Sequence, residues 1–424
     1  MTEKQIRGIV QEKMAHRPKI IKMFESCYKD TLENTVRLHK DGTAFMLTGD
    51  IPAMWLRDST NQLRPYLLTA KDDKKVTTII EGVIKKQLLC ILRDPYANAF
   101  NEFENGFGHQ NDITKMLPDV WERKYEIDSL CYPLQLAYLY WKNTEKTAHF
   151  DELFLKAAAT VVDLWILEQN HEENSDYTFD RLNTKPHDTL SHGGKGAPVG
   201  YTGMTWSGFR PSDDSCVYGY LIPSNMFAVV VLGYLREIIS TFYKNETELL
   251  EKASRLQKEI RNGIEKFGMI ESEKYGKVYA FETDGLGNYN IMDDANVPSL
   301  MAMPYFWYCD CDDEIYLNTR RMMLSEENPY YYEGKFAKGI GSPHTPEGYI
   351  WHIALSIQGM TSAVDSEKEQ ILDWFETTDA GTNLVHEGFH KDDPAIFTRE
   401  WFSWSNAMFV EFVLSVCGLT IKNK

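Results

Sequence analysis

Residues 76–92 read Val-Thr-Thr-Ile-Ile-Glu-Gly-Val-Ile-Lys-Lys-Gln-Leu-Leu-Cys-Ile-Leu. Val76, Ile79, Ile80, Val83, Ile84, Leu88, Ile91 and Leu92 recur at intervals of three and four, the apolar stripe of an amphipathic helix. The pattern returns at 119–142, through Trp121, Tyr125, Leu130, Leu134, Ala137 and Tyr140. It returns again at 149–169, through Leu153, Phe154, Ala157, Val161, Leu164 and Trp165. Further helical windows fall at 3–38, 58–70, 224–243, 246–268, 295–308, 315–324, 348–363, 366–378 and 402–418, about a dozen helices in all. Strand signals are confined to Tyr177–Arg181 and Lys277–Thr283, both short and flanked by turns, as in hairpins within loops. No linker rich in Ser or Pro divides the chain, and no sequence repeat is visible. The expectation is an all-α chain that forms, over residues 1–424, a single toroid of helix hairpins. Two concentric rings of helices would bury one another and leave the long loops at one mouth. A two-domain helical bundle is the alternative.

The chain has 424 residues, of which 43% are hydrophobic and 25% charged, an ordinary globular composition. Its formal net charge of −17 repels phosphate backbones and anionic lipid heads, so neither nucleic acid nor membrane is an expected partner. A neutral sugar is not disfavoured. The seven cysteines are odd in number and scattered, without a CxxC. Cys27, Cys90, Cys131 and Cys417 sit in apolar helical stretches and read as core thiols, which fits a reducing compartment. Met1–Arg17 lacks the apolar core of a secretion signal, and no window reads as a membrane span of roughly 20 apolar residues. A cytoplasmic monomer is expected.

Four segments combine acids, rings, a basic residue and tight glycines or prolines. Residues 206–214 read Trp-Ser-Gly-Phe-Arg-Pro-Ser-Asp-Asp. Trp206 offers a ring for a sugar face, Arg210 a grip on hydroxyls, and Asp213-Asp214 a pair of carboxyls; a carboxyl in a partly apolar pocket keeps its proton near neutral pH. They lie in 183–214, the longest stretch without helical period, and a loop of that length in a compact chain is usually functional or disordered. Its Trp, Phe and Arg argue against disorder. Residues 48–59, Thr-Gly-Asp-Ile-Pro-Ala-Met-Trp-Leu-Arg-Asp-Ser, place Asp50, Trp55, Arg57 and Asp58 at the mouth of a helix that Asp58-Ser59 can start. Residues 105–112 present His109, Gln110 and Asp112 in a Gly-rich turn. Residues 385–404 hold His386-Glu387-Gly388, Arg399 and several further rings; Glu387 beside His386 is a general-base candidate. The bland alternative for each is a capping turn or a loop tied down by ion pairs.

Cys309-Asp-Cys-Asp-Asp-Glu314 lacks the spacing and the Gly of a calcium loop and reads as a solvated turn between helices. Asp293-Asp294 reads as a helix cap. GxSxG, GxGxxG and P-loop strings are absent, so serine nucleophiles, dinucleotides and nucleotide hydrolysis have no support. Carboxylate chemistry remains, and glycoside hydrolysis needs two such groups.

Together, TGDIPAMWLRDS (48–59), GFGHQND (106–112), TWSGFRPSDD (205–214), MDDANVPS (292–299), GSPHTP (341–346), HEGFHKDDP (386–394) and FTREWFSW (397–404) resemble glycoside hydrolase family 125, the bacterial and fungal exo-α-1,6-mannosidases. The resemblance runs from about residue 20 to the C-terminus. It implies an (α/α)6 barrel and inverting, metal-independent release of terminal α-1,6-linked mannose, from N-glycan fragments among others, with no cofactor. It implies Asp214 as general acid and Glu387 as general base. Asp50, Arg57, Asp58, His109 and Gln110 fall among the sugar-gripping positions. Composition alone does not choose between Asp213 and Asp214; the resemblance does. The rival readings are another helical-toroid hydrolase, phosphorylase or lyase, a mannoside-binding protein without catalysis, and a magnesium-dependent cyclase using Asp310–Glu314.

Overall fold

The computed structural model describes residues 1–423. In chain order the helices are α1 Glu3–Lys13, α2 Pro18–Asn34, α3 Leu56–Leu63, α4 Lys74–Arg93, α5 Ile127–Thr144, α6 Glu152–Glu168, α7 His171–Asn174, α8 Ser191–Gly194, α9 Ile222–Phe242, α10 Thr247–Phe267, α11 Glu314–Met323, α12 His352–Met360, α13 Asp365–Thr378 and α14 Ser403–Val416. All but the four-residue α7 and α8 overlap the helical windows of the sequence. The strands are short and antiparallel, in sheets of two or three.

The chain divides into two compact units. One comprises residues 1–86, 136–149 and 330–424; the other comprises 87–135 and 150–329. In the first, α14 is buried along nearly its whole length and packs on α2, α3 and α12, while α13 pairs with α12. The outer partner α2 is one-faced, burying Ile20, Met23, Phe24, Cys27 and Tyr28. In the second, α9 is buried on almost every side from Ile222 to Leu235, and α10 lays Leu249, Ala253, Leu256, Ile260 and Ile264 toward it and α6. A helix stretch apolar on most sides must be enclosed, and a one-faced helix encloses it; burial of each large apolar side chain stabilises by about 1.5–3 kcal/mol.

Several boundaries differ from the sequence reading for identifiable reasons. Window 3–38 is two helices, because Pro18 has no N–H to continue the first. Window 119–142 begins as a strand, Val120–Glu122, and turns helical only at Ile127. Window 295–308 forms successive turns: Pro298 and Pro304 withdraw two donors and Trp307 adopts a φ of 64°. Tyr177–Arg181 forms no ladder, only a single bridge between Ile113 and Asp180. Lys277–Thr283 divides between the hairpin Met269–Ser272/Gly276–Tyr279 and a separate strand, Glu282–Thr283. Contrary to the sequence reading, α9 is long and apolar enough to cross a membrane by length and composition, but 78% of that window is buried within the fold. Asp313 accepts from the Tyr316 N–H and caps α11, so the acidic loop at 309–314 starts a helix.

Candidate active site

In the first unit the segments 48–59 and 385–404 come together through backbone. The Asp50 N–H donates to the Trp401 carbonyl at 3.0 Å, and the Ser403 N–H donates to the Thr48 carbonyl at 3.0 Å. Gly49 makes this approach possible. Its φ is 142°, and a Cβ there would stand 2.3 Å from the Trp401 carbonyl oxygen. The chain then enters α3, all eight residues of which are buried, six of them polar or charged. Ser59 donates to the Trp55 carbonyl at 2.7 Å, Asn61 to the Arg57 carbonyl at 3.1 Å and Gln62 to the Leu47 carbonyl at 2.9 Å. Arg57 lies 3.5 Å from Asp58 and stands over the Trp404 ring at 5.4 Å.

Glu387, 7% exposed, precedes the strand Gly388–His390, which pairs with Tyr349–Trp351 on one side and Asp393–Phe397 on the other. Arg399 Nη1 lies 4.0 Å from Glu387 Oε1, and Arg399 Nε donates to Asp50 Oδ1 at 2.9 Å. Burial opposes the charge on Arg399, but Asp50, Glu387 and Asp58 outweigh it and raise its pKa. Behind Glu387, His386 engages the Arg399 carbonyl through Nδ1 at 3.0 Å and Thr382 Oγ1 through Nε2 at 3.2 Å, and stacks on Phe397. The His386 N–H donates to His352 Nδ1 at 3.0 Å, which leaves His352 Nε2 to donate to Thr378 Oγ1. Burial first, and the neighbouring His386 second, push the His352 pKa down to about 3.

In the second unit the segment 205–214 closes in a turn. The Arg210 N–H donates to the Asp214 carbonyl at 2.8 Å, and the Asp213 N–H to the Arg210 carbonyl at 2.9 Å. Asp213 takes the left-handed conformation, with φ 68°. Its carboxylate accepts from Asn98 Nδ2 at 3.2 Å and its carbonyl from Lys124 Nζ at 2.7 Å. Asp214 is 1% exposed, and Ser212 Oγ donates to Asp294 Oδ2 at 2.9 Å. Lys124 also meets Asp188 at 2.6 Å and Glu122 at 3.4 Å, and Arg181 bridges Glu122, Asp112 and Asp188. Burial alone would raise the Glu122 pKa; Lys124, Arg181 and His109 outweigh both burial and Asp213, and hold it below the usual range.

Four residues expected to face a ligand are committed elsewhere. The Trp206 ring is 1% exposed and stacks on His171 at a centroid distance of 3.5 Å. Gly219 approaches its indole so closely that a Cβ would sit 2.0 Å from Nε1, so the ring offers no sugar-sized face. Arg210 is spent on buried Glu282 at 2.6 Å. His386 commits both ring nitrogens, to the Arg399 carbonyl and to Thr382 Oγ1. Gln110 donates to the Val120, Leu117 and Phe107 carbonyls and so braces its own loop. His109 remains exposed, 3.7 Å from Glu122. Trp55, Arg57 and Asp58 are buried at the start of α3, and Asp50 is exposed. Sequence reasoning passed over Glu122 and Lys124, although charges in Trp121-Glu-Arg-Lys-Tyr-Glu126, inside an apolar stretch, were the available signal.

Among the described residues no group of three or more His, Cys, Asp or Glu side chains is placed to hold a metal ion. Carboxylates in each unit are steadied by arginines or a lysine on segments between helices. Residues 17–414 match the family described as metal-independent α-mannosidase, glycoside hydrolase family 125, and the chain belongs to that family. A Streptococcus pneumoniae metal-independent α-mannosidase, in a non-productive substrate complex with α-1,6-mannobiose, is 53% identical, with a TM-score of 0.96 over 98% of each chain. The meiotically up-regulated gene 157 protein of Schizosaccharomyces pombe is 38% identical over 94% of this chain and 82% of its own length. A bacterial glucoamylase complexed with acarbose, 12% identical, shares the fold with a TM-score of 0.56 over 87% of this chain and 50% of that one. The fold is thus the (α/α)6 barrel.

Proposed function

We propose that this α-mannosidase is an inverting exo-enzyme that releases non-reducing terminal mannose from α-1,6-linked mannosides, N-glycan fragments among them. The observation that carries the linkage is the 53% identity, over 98% of the chain, to a protein in complex with α-1,6-mannobiose. Asp214, protonated, donates to the glycosidic oxygen as the C–O bond breaks. Glu387, ionised, takes a proton from a water that attacks the anomeric carbon from the opposite face, and the first product is β-mannose. The choice of Asp214 follows the resemblance of residues 205–214 to the family; the neighbouring Asp213 takes the left-handed turn, and its carboxylate accepts from Asn98. Arg399 and Asp50 beside Glu387 support a fixed base. Asp58, Arg57 and His109 are assigned to gripping mannose hydroxyls. The substrate is a neutral oligosaccharide and the enzyme acts as a monomer; its seven free thiols suit a reducing, cytoplasmic setting.

Asp214→Asn and Glu387→Gln test the roles. Each is expected to abolish turnover of α-1,6-mannobiose while far-UV circular dichroism and melting stay near wild type. Full activity in Glu387→Gln contradicts the base assignment. A ligand complex should show the two carboxyls roughly 6.5–9.5 Å apart; a separation of about 5 Å points to retention.

A further inference from the structure

We infer that Arg399 is a positioning residue for Glu387, acting from both its side chain and its backbone; this rests on the assignment of Glu387 as general base. Arg399 has a φ of 55°, a left-handed conformation that a side chain of this size adopts at a cost. Two sets of contacts hold it there. Its guanidinium spans two carboxylates, bonded to Asp50 through Nε and Nη2 and facing Glu387 through Nη1 at 4.0 Å. Its carbonyl meets His386 Nδ1 at 3.0 Å, on the residue immediately before Glu387. The guanidinium also covers the Phe402 ring at 4.3 Å, which limits its swing.

The geometry divides the work. Asp50 fixes the guanidinium, and Asp50 is itself fixed by its N–H on the Trp401 carbonyl. The fixed guanidinium sets where the Glu387 carboxylate points. The carbonyl orients His386, whose other ring nitrogen is anchored on Thr382 and whose N–H is anchored on His352. Glu387 is therefore steadied through its carboxylate and through its neighbour's ring. A base that must meet one water from one direction loses rate steeply when it tilts, by about a hundredfold for a displacement near 1 Å.

Arg399→Gly separates the two contributions. Glycine accepts a φ of 55° without strain and keeps the carbonyl on His386, so the backbone contribution stays while the guanidinium is removed, and far-UV circular dichroism with a thermal melt checks that the variant is folded at the assay temperature. With α-1,6-mannobiose we expect kcat to fall about 10- to 100-fold, KM to change less than threefold, and millimolar guanidinium to restore part of kcat. Arg399→Lys should retain more kcat than Arg399→Gly. Asp50→Asn combined with Arg399→Gly should cost no more than Arg399→Gly alone, because the two act as one unit. Wild-type kcat in folded Arg399→Gly overturns the inference. So does a KM raised tenfold with kcat unchanged, which would make Arg399 a direct sugar ligand. Glu387→Gln measured in parallel distinguishes the two levels: if it is inactive while Arg399→Gly is normal, the positioning role alone falls; if it is active, the base assignment falls as well.

Discussion

Arg210 Nε donates to Glu282 Oε1 at 2.6 Å, and both side chains are withdrawn from solvent. Glu282 also accepts from the Val217 and Tyr218 N–H groups and from Asn290, so this carboxylate ties the turn before Asp214 to the small sheet holding Glu282–Thr283. Burial opposes the Arg210 charge, and Glu282 more than offsets it. Removing one partner strands a buried charge. Arg210→Met should therefore destabilise the fold by about 3–5 kcal/mol, and adding Glu282→Gln should recover a large part of that loss. Urea unfolding of the two single variants and the double variant provides the check. Additive losses would show that the pair is not the unit it resembles.

His352 gives the fold an acid-sensitive joint. Its unfolded pKa is near 6.5 and burial lowers the folded value to about 3. Between those values the unfolded chain binds more protons than the folded one, so stability rises with pH across that window and is lost as the pH falls below about 6.5. His386, whose pKa is also lowered by burial, acts in the same direction. His352→Asn keeps an acceptor for the His386 N–H and cannot titrate. Its melting temperature should lie below wild type at pH 7.5 but decline less between pH 7 and pH 4.5. Parallel declines would remove His352 as a source of acid sensitivity.

Gly49→Ala is expected to be harmful out of proportion to one methyl group. The added Cβ would meet the Trp401 carbonyl at 2.3 Å, on a backbone with φ 142°. Relief requires parting segments 48–50 and 401–403, which carries Asp50 away from Arg399. A stability loss of about 1–3 kcal/mol should accompany a fall in kcat/KM. A thermal melt and a rate on α-1,6-mannobiose are sufficient; wild-type values in both would contradict the packing argument.

The helices were legible because an enclosing helix must repeat its apolar residues every three to four positions, as Val76–Leu92 does. The turns at 295–308 were not, because apolar residues mask the two missing donors at Pro298 and Pro304. Within the site, residue types were legible and directions were not. Trp206 and Arg210 look like ligand-facing groups in a loop, yet the ring turns to His171 and the guanidinium to Glu282. Those partners lie 35 and 72 positions away in the chain, beyond the reach of any local pattern. The same holds for Asp213 and Asp214. Adjacent in sequence, they differ in backbone conformation: Asp213 is left-handed, which no composition announces.

Inverting cleavage of an α-1,6 linkage is tested directly by proton NMR of the first minutes of α-1,6-mannobiose hydrolysis. β-Mannose should appear first and then relax to the anomeric mixture, while α-1,2- and α-1,3-mannobiose remain intact. α-Mannose as the first product, or equal cleavage of all three isomers, would contradict it.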